Sequence, residues 1–463
     1  MLWAPKNNDM TKNIGTCLSR SDRVAIIDLT KSQESKITHK QLDDYSNAVC
    51  NKLLEIGINK GDSVALHSNN NTQAIIYMYG IMKAGAVCLL MNPNFKDKQY
   101  ILDITKPKLI VNQSDNYLGE LNDFSDNSVE VNETDLAFCM FTSGSTGKPK
   151  AVLHTHKNRY WIIEKHKVKH DKPRKFLVAT SMHYASALSN IHQQINSENT
   201  LVLFDKVDPI KIISSIEKYQ ITDISAPAAV MNMLLKHENM FERVNLSSVK
   251  FVTLGSSIVR EATIKKLKSI FRNAYVKIYY GTSELGPNLF AEHPSLPTPD
   301  MSVGYAADGI EYRIVDGVLQ IKTPSLFYGY VNSNKNLTED GFYNTNDYFT
   351  VDKNGFYYCH GRADDCFKSG GNMINPYEIE ALLEQFPNVI TAVVVPKEDD
   401  IKLFKPVCYV STKGKISIEN LKQFALDKLE AYKVPREFYL SEIPLTNNGK
   451  IDRTKLKEMT NAK

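Results

Sequence analysis

Between residues 38 and 280 the sequence alternates between short apolar runs of strand length and stretches whose apolar residues recur at helical spacing. That alternation restricts the fold more than any other feature. Leu42, Tyr45, Val49 and Leu53 lie three to four positions apart, which predicts a helix over 38–56. Further helices are expected at 74–82, 210–219 and 261–271. Strands are expected at 63–67, 86–90, 109–111, 177–180, 201–204, around Ile224, at 250–254 and at 276–279. Strands separated by helices pair in parallel through crossovers, and the helices must cover the sheet faces. The pattern predicts a layered α/β body. A chain of 463 residues exceeds what one hydrophobic core usually holds, so two or three domains are expected.

The texture changes after residue 304. Up to residue 358 the chain reads as short strands punctuated by Asp316-Gly317, Asp340-Gly341 and Asn354-Gly355, a β-rich subdomain. Beyond Gly361-Arg362 helices are expected at 376–385 and 418–429, and strands at 389–395 and 407–411. These give a small α+β unit of ordinary domain size. The expected organisation is a large domain over 1–361, a hinge at 362–365 and a second domain over 366–463.

Charge excludes little but is informative. With 56 basic and 52 acidic residues the net charge is +4, which makes no case for a nucleic-acid or membrane-surface binder. Seven scattered cysteines form no C-x-x-C pair and no zinc-ligand spacing, which fits a reducing cytoplasm and idle thiols. The first residues lack the apolar core of a secretory leader, and the last three are not a sorting address. Residues 74–91 are apolar but interrupted by Gly80, Lys83 and Gly85, so a buried helix running into a core strand is expected rather than a membrane span.

Chemistry concentrates first at residues 141–150, FTSGSTGKPK. Two glycines, four hydroxyls and two lysines follow an apolar run. Glycines let backbone N–H groups face an anion, hydroxyls donate, and lysines add charge. It is not a Walker loop, because two residues separate Gly144 from Gly147 and Pro149 follows Lys148.

This run resembles the phosphate-binding loop of the adenylate-forming superfamily, which includes acyl-CoA synthetases, aryl-acid ligases, peptide-synthetase adenylation domains and beetle luciferases. Other stretches match in that family's order over nearly the whole chain, closest to stand-alone acyl-CoA synthetases. The resemblance implies a large adenylation domain of layered α/β sheets with a β-rich subdomain, and a small mobile α+β domain carrying a catalytic lysine. Thr142, Ser143, Gly144, Ser145, Thr146, Gly147 and Lys148 would hold the phosphates of ATP. Tyr279-Tyr280-Gly281-Thr282-Ser283-Glu284 resembles the family's Y-G-x-T-E. There Tyr280 and Gly281 would meet adenine, Ser283 the α-phosphate, and Glu284 a Mg²⁺ ion, a hard cation that takes oxygen ligands. His183, Ala187, Gly255, Ser256 and Thr282 would border the acyl pocket.

Tyr343-Asn344-Thr345-Asn346-Asp347 resembles Y-x-T-G-D, with Asp347 on the ribose. Asn346 stands where glycine is usual, and asparagine tolerates a left-handed backbone. Gly361-Arg362-Ala363-Asp364-Asp365 resembles the hinge motif, with Arg362 on ribose or phosphate and Asp364 as pivot. Lys368, Gly370 and Gly371 would line the thiol passage. Residues 444–453, PLTNNGKIDR, match the segment of the catalytic lysine, here Lys450. Its ammonium would stabilise charge gathering at the α-phosphorus during attack.

The implied reaction is ATP-dependent ligation of a carboxylic acid to a thiol through an acyl-adenylate, with ATP, Mg²⁺ and coenzyme A as cofactors or co-substrates. No aspartate follows His183 to hold an amino group, and Tyr184 stands where siderophore aryl-acid ligases carry asparagine. A fatty or aromatic acid remains. Two other readings stay open: loading of an acyl or peptidyl carrier protein, and a non-catalytic nucleotide-binding relative. Pathway and oligomeric state are not readable.

Overall fold

The computed structural model describes residues 12–95, 97–112, 121–142, 149–165, 167, 172–287, 289–331, 335–446 and 451–461. The chain forms two compact units. One comprises Met1–Ser256, Glu261–Tyr312 and Ile321–Tyr343; the other comprises Ser257–Arg260, Arg313–Gln320 and Asn344–Lys463.

The first unit holds two layered sheets. In the larger, Tyr275–Ile278, Phe251–Gly255, Asp223–Pro227, Lys175–Val178, Thr200–Leu203 and Val24–Asp28 run parallel in that order, with Ser35–Thr38 antiparallel at the edge. The second sheet runs Gly329–Tyr330, Lys150–Thr155, Leu136–Thr142, Val87–Met91, Ser63–His67 and Leu109–Asn112. Helices cover them, as the alternating pattern requires. His39–Glu55 starts at a capping box in which the Thr38 hydroxyl accepts from Gln41 N and the Gln41 side chain accepts from Thr38 N. Asp208 caps Pro209–Tyr219, whose proline takes the first helical position.

The apolar stretch read as a helix entering a core strand is Thr72–Lys83 followed by Val87–Met91. Lys83 is 1% exposed and survives burial because Asp43 Oδ1, at 2.6 Å, and Asn47 Oδ1, at 2.5 Å, accept from its ammonium. Among the described residues, no helix is long and apolar enough to cross a membrane. All seven cysteines are free thiols. Burial pushes Cys17, Cys50 and Cys359 up to about 12, which leaves them unreactive near neutral pH.

In the second unit Val389–Asp399 and Leu403–Thr412 form a long antiparallel hairpin, with Glu437–Leu440 parallel beside it. The helices Pro376–Leu383, Ile418–Leu426 and Arg453–Asn461 accompany this sheet. Their core joins Ile374, Ile379, Leu383, Ala392, Val394, Cys408 and Leu421. Tyr343–Val351 pairs with Phe356–Arg362, with Asp347 opposite Arg362.

Candidate active site

Four parallel strands of the larger sheet deliver their carboxyl ends to one edge. Open α/β sheets bind ligands there, because loops leaving neighbouring strands converge on it. Val178 leads to His183, Pro227 closes the next strand, Gly255 ends the third, and Ile278 leads into Tyr279–Glu284.

The Tyr280–Glu284 turn is held from several sides. Gly286 N donates to Thr282 O at 2.9 Å, and Leu285 N to the Thr282 hydroxyl at 3.2 Å. The Ser283 carbonyl faces His154 Nε2 at 2.9 Å. A carbonyl can only accept, so that ring nitrogen carries the proton. His154 is fully buried, and desolvation keeps its imidazole neutral, far below the usual histidine range. Phe327 N donates to Glu284 O at 2.7 Å, and the Tyr330 hydroxyl donates to Glu284 Oε1 at 2.8 Å. In the sequence Tyr330 falls in the β-rich stretch over 304–358 with no role of its own, and nothing singles out His154. The aromatic ring of Tyr280 packs edge-on to Phe290, 5.9 Å between centroids.

Gly255 has a packing reason of its own: a Cβ there would lie 2.4 Å from the Tyr279 carbonyl. Ser256, next to it, holds φ 64°, a left-handed conformation that a non-glycine residue adopts at a cost. Its hydroxyl meets the Tyr279 hydroxyl at 3.1 Å, which offsets some of that strain. A narrow cavity opens beside Tyr279, lined by Thr180, Ser186, Ala187, Asn190 and Ser225 among others. Ala187 and Tyr279 border it; His183, Gly255, Ser256 and Thr282 do not. His183 is buried against the Ser181 hydroxyl at 2.6 Å, and burial lowers its imidazole to about 4.

Thr142 ends its strand opposite Lys150, so the strands flanking the glycine- and hydroxyl-rich run form an antiparallel pair. Ser143, Gly144, Ser145, Thr146, Gly147, Lys148 and Lys450 lie outside the described residues.

In the second unit, Asn346 adopts φ 58°, the left-handed turn its residue type favours. Asn346 N donates to Asn344 Oδ1 at 3.0 Å and Asp347 N to the Thr345 hydroxyl at 3.1 Å, fixing the turn that presents Asp347. Arg362 Nη1 lies 3.3 Å from Asp347 Oδ1, and Asp364 is 4.0 Å from the same guanidinium. Asp364 sits in a short 3₁₀ turn, Ala363–Asp365. Lys368 is in a two-stranded ribbon whose turn is Gly370-Gly371, φ 56° and 84°. Two consecutive left-handed residues make the tight hairpin turn that glycine serves best, a local reason for both glycines. Among the described residues, nothing lies within 4 Å of a Cβ placed on Gly371.

The same unit holds a largely buried ionic network. Arg453 Nη2 donates to Glu380 Oε2 at 2.6 Å, Arg453 Nη1 to Val394 O at 3.0 Å, and Arg453 Nε lies 3.6 Å from Asp365 Oδ2. The Tyr377 hydroxyl donates to that Asp365 oxygen at 2.6 Å, under the Arg453 guanidinium.

Comparison with known proteins agrees with this architecture. The sequence model of the AMP-binding enzyme family matches residues 16–331, and that of the AMP-binding enzyme C-terminal domain matches 378–450. A 2-succinylbenzoate–CoA ligase of Listeria monocytogenes is 27% identical over 91% of this chain and 94% of its own length. The fold is that of an anthranilate CoA ligase solved with anthranoyl-AMP, at TM-score 0.86 and 22% identity over 98% of both chains. ATP-bound MatB from Rhodopseudomonas palustris superposes at TM-score 0.87 and 19% identity, over 97% of this chain and 99% of that one. The chain belongs to the AMP-binding enzyme family, the adenylate-forming superfamily, and stands with its acyl-CoA ligases.

Proposed function

We propose that this enzyme activates a carboxylic acid with ATP and passes the acyl group to coenzyme A. The observation that carries the reading is the Tyr280–Glu284 turn at the carboxyl end of a parallel strand, with the Glu284 carboxylate oriented by Tyr330. Tyr330 bonds one Glu284 oxygen, and among the described residues no bond to the other is recorded, so that oxygen would be the one to meet a cation. Among the described residues no three His, Cys, Asp or Glu side chains gather as a metal cage. Glu284 would supply one carboxylate and ATP its phosphate oxygens, the usual arrangement for Mg²⁺. When bound, that ion neutralises charge on the phosphates of ATP.

In the first half-reaction a carboxylate oxygen of the acid forms a bond to the α-phosphorus, and the bond to pyrophosphate breaks. Ser283 contacts the α-phosphate, Tyr280 and Gly281 border adenine, and Asp347 and Arg362 take the ribose. Lys450 and the loop over 142–148 stabilise the charge gathering at phosphorus. In the second half-reaction the coenzyme A thiolate attacks the acyl carbon and AMP leaves with the bonding electrons. The domain over 366–463 reorients about Asp364 between the halves, which replaces Lys450 with Lys368, Gly370 and Gly371 at the site. Separating two incompatible sites in time explains why one chain carries both lysine segments.

A pyrophosphate-release assay across acid classes tests the reading. Release that depends on one acid class, lost in Glu284→Gln and Lys450→Ala, is the expected result. Release unaffected by both substitutions contradicts the roles of Glu284 and Lys450 in adenylation. AMP formation that requires a carrier protein in place of coenzyme A reassigns the acceptor.

A further inference from the structure

Among the described residues two basic side chains are at most 1% exposed, Lys83 and Arg159, and their surroundings differ. Lys83 meets the Asp43 carboxylate. Among those residues no carboxylate reaches Arg159. It stands on the helix His156–Lys165, and its Nη2 donates to the Ser189 hydroxyl on the helix Ala185–Asn196. The Phe138 ring centre lies 5.2 Å from its guanidinium carbon. Nε and Nη1 have no hydrogen-bond partner among the described residues. Burial lowers the guanidinium to about 9, so it stays charged at neutral pH.

Nη1 approaches the candidate site on the side where His154 holds it. A Cβ built on Gly286 would lie 3.5 Å from Arg159 Nη1 and 2.5 Å from Ile162 Cδ1, so only glycine lets the helix pack this closely on the turn. Gly286 N closes that turn on Thr282 O, and His154 Nε2 meets the Ser283 carbonyl within it. Desolvation, and after it the Arg159 charge, keep His154 and His192 neutral. No second cation is set there by either ring. One uncompensated positive charge is therefore buried against the turn that carries Ser283 and Glu284.

For the fold alone this is a poor arrangement. A buried charge without a counter-charge is destabilising, and an apolar side chain of similar volume in its place is often more stable. The hydroxyl of Ser189 and the face of Phe138 return only part of that cost. A fixed cation has a second effect, however. Its attraction for an anion falls only with the inverse of distance, and burial shields it from salt. It makes the neighbouring turn a better place for negative charge than hydrogen-bond donors alone would.

We infer that Arg159 is an electrostatic determinant of nucleotide binding: its unpaired charge draws polyphosphate to the Ser283–Glu284 turn without touching the ligand. The inference rests on that turn being the phosphate site of the proposed reaction. Two consequences separate it from a packing role. The effect of Arg159 grows with the negative charge of the ligand, and its removal costs affinity without costing stability.

The test measures Kd by calorimetry for adenosine, AMP, ADP and ATP without Mg²⁺, in the unsubstituted protein, Arg159→Met and Arg159→Lys. In Arg159→Met, ATP is expected to bind about fivefold or more weakly, AMP to lose less, and adenosine to stay within about twofold. Arg159→Lys recovers most of the ATP affinity. Tm of the ligand-free Arg159→Met protein equals or exceeds that of its parent, and in turnover KM for ATP rises while KM for the acid does not. Arg159→Gln, which keeps a donor for Ser189 and no charge, answers the same question if the methionine variant does not fold. Equal loss for all four ligands assigns Arg159 to packing and overturns the inference while leaving the ligase reading intact. So does an ATP affinity unchanged in a folded, uncharged variant. No binding of any nucleotide to the unsubstituted protein overturns the adenylation reading and this one with it.

Discussion

Tyr330 is the side chain that most sharpens the candidate site. A hydrogen bond to an ionised acceptor is worth about 1.5–3 kcal/mol, and here it fixes which way Glu284 points. Tyr330→Phe is expected to raise the Mg²⁺ concentration for half-maximal activity several-fold and lower kcat/KM roughly tenfold. A Mg²⁺ titration of the variant checks this, and an unchanged curve would show that the hydroxyl does not orient the carboxylate. The sequence held no signal for this contact, because its partners are 46 residues apart and Tyr330 sits in a stretch of strand and turn residues. Asn346 was legible, since its residue type and the φ of 58° point to the same turn. Ser256 was legible only in part: it was expected beside Gly255 at the acyl pocket, but the left-handed φ of 64° could not be read.

Secondary-structure elements were readable where burial on one face wrote a period into the sequence. The helix expected over 38–56 is His39–Glu55, and the strand expected over 63–67 is Ser63–His67. The long hairpin exceeds what was read, Val389–Asp399 against the expected 389–395. Its outer rungs pair Lys397 with Lys405 and Glu398 with Phe404; three of these four are charged, so no apolar run marked the extension in the sequence. The helix Ala185–Asn196 escaped because its first turn, Ala185-Ser186-Ala187, is small residues that write no strong apolar period.

In the helix Arg453–Asn461 the first residue anchors the element. Arg453 and Glu380 are 12% and 8% exposed, so removing one partner strands a desolvated charge. Arg453→Met is expected to destabilise the second unit by about 3–5 kcal/mol, read as a lower urea midpoint. Glu380→Met placed on top of it should recover much of the loss, because the stranded carboxylate is then gone. A double variant as weak as the single would show that the cost lies elsewhere.

The buried histidines set how the whole molecule responds to acid. Desolvation lowers His156 and His183 to about 4 and His192 to about 3, against about 6.5 in an unfolded chain. Between those values the unfolded chain binds protons that the folded one refuses. Stability is full above pH 6.5 and is lost as pH falls toward 4, at up to about 1.4 kcal/mol per pH unit for each histidine. Tm should therefore be lower at pH 5 than at pH 7.5, and His192→Phe should reduce that difference. An equal fall in the variant would assign the acid sensitivity to other groups.

The claim on which the account turns is that one chain runs two separable half-reactions with different lysine-bearing segments. The most direct measurement follows both halves in Lys450→Ala: pyrophosphate release from ATP and acid, and thioester formation from pre-made acyl-AMP and coenzyme A. The account predicts that adenylation falls by at least a hundredfold, about 2.7 kcal/mol of transition-state stabilisation, while thioester formation stays within a few-fold of the unsubstituted enzyme. Equal loss of both halves, or of neither, would contradict it.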